Sequence, residues 1–110
     1  MNELFKVFER LGHQYFRQGT LSTDDYPSSF FTFDNFATPF QAYYDNANRR
    51  QIVKVQIGFY TNDVTLIYSE MDKFIAEAKA AGFIIKGGAY DVPSGKVDYF
   101  GRSVAIDIIQ

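Results

Sequence analysis

The side chains able to do chemistry in this 110-residue chain are few: a single histidine, His13, a scatter of aspartates, and a glycine-bearing run at 86–95, "KGGAYDVPSG". His13 lies between Gly12 and Gln14 in a segment of helical pattern, with no acid or nucleophile beside it in sequence. Acid–base catalysis needs a positioned partner, so the residue reads as solvent-facing or interfacial. With no cysteine and no second imidazole, zinc would have only carboxylates to bind. The aspartates at positions 24, 25, 34, 45, 63, 91, 98 and 107 mostly fall where turns are expected, and there an Asp side chain bonds nearby amides. Asp24-Asp25 has no calcium-loop spacing of oxygen ligands around it.

The run 86–95 invites a phosphate-cradle reading. Such loops join a strand to a helix N-terminus, whereas the pattern downstream of this run is a strand. Gly95-Lys96 is followed by Val97, not by Ser or Thr. The run therefore reads as a loop between two strands, with Gly87-Gly88 granting backbone freedom and Pro93 supplying turn chemistry. No catalytic, metal or cofactor-binding residues are expected, and no cofactor.

The elements that would position any site follow from periodicity. Leu4, Phe8, Leu11 and Tyr15 recur at helical spacing, which predicts an amphipathic helix ending near Gln18-Gly19. A polar loop, 20–29, leads to two aromatic runs, "SFFTFDNF" and "PFQAYYDN", expected as strands of a hairpin, with Pro39, which cannot donate to a ladder, at an edge or a strand start. Val53, Val55, Ile57 and Phe59 alternate with Lys54, Gln56 and Gly58, a period-two strand. Val64, Ile67, Met71, Phe74, Ile75 and Ala78 then predict a second helix, capped by Asn62 or Asp63 and stopped by Gly82. After "FII" and the glycine run, the pattern of one strand or a pair of strands returns over 96–109, with Val104, Ile106 and Ile108 on one face and Gly101 suited to a bulge. The expected fold is α+β: a mainly antiparallel sheet with two helices packed on it, in the order α-β-β-β-α-β-β, forming one domain over 1–110.

Composition bounds the partners. Hydrophobic residues make up 46% of the chain, with twelve Phe and eight Tyr, which argues for a folded domain. The net charge is -2 and the only basic doublet is Arg49-Arg50, a poor footprint for specific nucleic-acid binding. The run "MNELFKVFERLGHQYF" alternates charged with apolar residues, so neither a secretory signal nor a membrane span is expected there, and a cytoplasmic start is. Aromatics concentrated in an edge hairpin suggest a protein interface. The candidate interface residues are Phe31, Phe33, Phe36, Phe40, Tyr43 and Tyr44 of that hairpin, with Tyr90 and Val92 of the glycine-bearing loop.

Over 29–109, the phrases "SFFTFDNFATPFQAYYDN", "VKVQIGFYTNDVTLIYSEMDKFIAEAKAAGFII", "AYDVPSG" and "GRSVAIDI" resemble tail terminator or tail completion proteins of long-tailed phages and prophages of Gram-positive bacteria. The resemblance implies a non-enzymatic virion subunit, made in the host cytoplasm. It further implies a ring, typically hexameric, that caps the tail tube and offers a surface to the head connector. Its expected partners are then copies of itself, the tail tube protein and head-connector proteins, with no membrane. The family has no catalytic residues to carry over. A protein-binding adaptor or inhibitor acting through an aromatic sheet edge, and a small carboxylate-based hydrolase, are the alternatives.

Overall fold

The computed structural model describes residues 2–21, 26–35, 52–94 and 96–109. The first helix, α1 (Asn2–Leu11), is built on Leu4, Val7 and Phe8, all fully buried, with Phe5 and Leu11 on its flanks. It stops well short of the expected Gln18-Gly19. Gly12 takes a left-handed φ of +79° and its N–H donates to the carbonyls of Phe8 and Glu9, closing the helix end. The chain then enters strand β1 (Gln14–Arg17). Tyr15 still reaches the core, because folding back stacks its ring on Phe5 and Phe8, with centroids 5.1 Å away in each case. The helical recurrence of apolar residues through Tyr15 is thus met by a strand residue.

β2 (Ser29–Asn35) runs parallel to β1 and antiparallel to β3 (Ile52–Thr61). The partner expected for β2, over 39–46, lies outside the described residues. A second helix, α2 (Leu66–Ala80), buries Ile67, Met71, Phe74 and Ala78, one apolar stripe at helical spacing. Just ahead of it the Asp63 carboxylate accepts hydrogen bonds from the Thr65 N–H at 3.0 Å and the Thr65 hydroxyl at 2.7 Å, which lower its pKa. Gly82, at φ +91°, ends the helix as expected, and the Phe83 N–H returns to the Ala78 carbonyl at 2.9 Å.

Two antiparallel strands complete the sheet, β4 (Ile84–Val92) and β5 (Phe100–Ile109), giving the spatial order β1-β2-β3-β5-β4. The glycine-bearing run is therefore mostly strand rather than loop. Its pairing with β5 slips between Lys86 and Tyr90, where Gly87 adopts φ +70°, so the irregularity falls in β4 and not at Gly101. The connection proper is the short segment 93–99. The fold is α+β, two helices on one face of a mainly antiparallel sheet, in the order α-β-β-β-α-β-β.

The core lies between the helices and that face. Phe31, Phe59 and Phe74 meet there with Val55, Ile57, Val104 and Ile106, all at most 1% exposed. Phe74 lies 5.5 Å from Phe31 and 5.7 Å from Phe8, so it ties α2 to both α1 and β2. Losing such a ring typically costs about 3–5 kcal/mol.

Candidate functional site

Helices cover one face of the sheet, and strand alternation sends every second residue to the other. On that open face Phe30 pairs across to Tyr60, Thr32 to Gly58, Tyr60 to Gly101 and Gly58 to Ser103. The two glycines have a local reason. A Cβ at Gly101 would meet Tyr60 Cε1 at 2.7 Å and the Val92 carbonyl oxygen at 2.8 Å. One at Gly58 would meet Thr32 Oγ1 at 2.7 Å and Tyr60 Cε2 at 3.0 Å. Tyr60 thus lies down against the sheet, stacked on Phe30 at 5.4 Å. Burial is the main cause that raises its phenol pKa, with Tyr26 adding to it and a Thr32 hydrogen bond opposing.

Around this ring two cavities adjoin and share Gln18, Thr32 and Tyr60. The first, about 330 Å³, has Phe30 and Tyr26 in its floor and Arg17 in one wall, with Pro93 and Ser94 opposite. The second, about 220 Å³, reaches Asp34, Gln56, Tyr90 and Val92. The wall at Ser94 is pinned: its hydroxyl donates toward the carbonyls of Lys96 at 2.7 Å and Tyr99 at 2.9 Å, and accepts from the Lys96 N–H at 3.2 Å. Tyr99 in turn donates to the Pro27 carbonyl at 2.7 Å. Gln56 spans the second cavity, its amide donating to Ser103 Oγ at 2.5 Å and to the Tyr90 hydroxyl at 3.1 Å.

Apart from Tyr90, the exposed large apolar side chains of the described residues gather at the two ends of the sheet. At one end Ile52 pairs with Ile109, and Ile84 pairs with Asp107 close by. At the other, Val64, Tyr68, Val97 and Phe100 are exposed, and Val64, Tyr68 and Phe100 share a 210 Å³ hollow. Arg102 braces this end, lying 4.8 Å over the Tyr68 ring while donating to Asp91 at 2.7 Å. The ends are separated by the ten residues of β3, about 30 Å at the usual rise. The sheet edges are guarded instead: β1 has four residues and β4 is interrupted by its register shift.

The interface residues expected from sequence are dispersed by this architecture. Phe31 is no surface residue, for it is 0% exposed and packed between Phe8, Phe59 and Phe74. Phe33 shares its face of β2 and is half-buried against the core near Phe5. Tyr90 and Val92 lie on the open face, Tyr90 being 52% exposed. Phe36, Phe40, Tyr43 and Tyr44 lie outside the described residues.

His13 also differs from expectation. It follows the end of α1 rather than riding on it, and its Nε2 lies 2.5 Å from Glu70 Oε1, whose other oxygen is 2.8 Å from Lys73 Nζ. The imidazole packs edge-on to Phe31 and Phe59. Burial pushes the Glu70 carboxyl up, but Lys73 and His13 together outweigh it and hold the pKa below its usual value. Fifty-seven residues separate the pair, so no local pattern announces it. Among the described residues no group of three or more His, Asp or Glu side chains is arranged to hold a metal ion. No described helix is long and apolar enough to cross a membrane. No family model matches the chain, and no curated protein matches it.

Proposed function

We propose that the protein is a non-enzymatic structural subunit of a long-tailed phage, a tail terminator or tail completion protein. In this reading it closes into a ring on the tail tube and presents a surface to the head connector. The reading draws on the sequence resemblance over 29–109, and one structural observation carries it further: two different apolar patches at opposite ends of the sheet. A ring of identical subunits needs a heterologous interface, in which one patch of each copy meets a different patch of the next and the rotation closes. Ile52, Ile84 and Ile109 would form one half of that contact and Val64, Tyr68 and Phe100 the other. A partner strand added at an edge fits less well, since both edges are short or interrupted.

Light scattering coupled to size exclusion, alone and with assembled tail tubes, tests the proposal, with electron microscopy to locate the bound material. The expected result is a closed ring, free or at one end of each tube, that is lost in both Ile84→Asp and Phe100→Asp proteins. A protein that stays monomeric and ignores tube ends, or one whose assembly survives both substitutions, overturns it.

A further inference from the structure

We draw no further inference here: the strongest candidate, the open face of the sheet around Tyr60 with its two adjoining cavities, carries nothing because nothing in the structure shows what covers it.

Discussion

Replacing Gly101 by alanine is expected to destabilise the protein through two contacts at once. The new methyl would sit 2.7 Å from Tyr60 Cε1 and 2.8 Å from the Val92 carbonyl oxygen. The first distance is about 1 Å inside the separation at which carbon atoms pack. Tyr60 could tilt away, at the expense of its stacking on Phe30, but the carbonyl belongs to β4 where Val92 pairs with Gly101 itself. Overpacking of this sort costs about 1–3 kcal/mol. For a domain of this size that is a fall of roughly 5–20 °C in melting temperature. Urea denaturation followed by circular dichroism measures it, with Gly88→Ala as control, since nothing lies within 4 Å of a Cβ there. Adding Tyr60→Ala should relieve the ring contact but not the carbonyl one, so the double variant should be less unstable than the sum of its parts by about 0.5 kcal/mol or more. A Gly101→Ala protein within about 0.5 kcal/mol of wild type, or strict additivity with Tyr60→Ala, would refute the flat placement of that ring.

Two further perturbations probe what sequence reading missed. Glu70 has a folded-state pKa held below its ordinary value, so it binds its proton less readily in the folded chain than in the unfolded one. Its stabilisation is present above the ordinary carboxylate range and is lost as pH falls through the folded-state value. Glu70→Gln should therefore flatten the acid side of a plot of melting temperature against pH; an unchanged acid slope would count against the pairing with Lys73 and His13. Gly12→Ala forces a β-carbon into the left-handed conformation that ends α1, at a cost of about 1 kcal/mol or slightly more. Differential scanning calorimetry would detect it, and a neutral or stabilising effect would mean that α1 continues past Leu11.

Residues whose pattern is local were legible in the sequence. The alternation from Val53 to Phe59 and the stripe from Ile67 to Ala78 each report the face of one element that meets the core, because strand and helix have fixed periods. Gly82 announced its helix end for a related reason, a conformation open to few other residues. The same logic misled at Tyr15. Its spacing from Leu4, Phe8 and Leu11 is helical, yet a left-handed Gly12 reverses the chain and returns the ring to the same core from a strand. Periodicity records that a residue is buried, not which element delivers it.

The tertiary structure alone decided which aromatics join the helix-covered core and which pack together on the other face of the sheet. Phe30 and Phe31 are neighbours of one chemical kind, but β2 sends them to opposite faces, and only the packing of α1 and α2 makes one face the core. Neither the union of Tyr60, Gly58 and Gly101 nor that of His13 and Glu70 leaves a trace in local sequence, since each is assembled by strand register or helix docking across distant positions. Composition and periodicity determined that this chain folds as two helices on a sheet. The site is a property of the face those helices leave open, and that is a matter of how the layers stack.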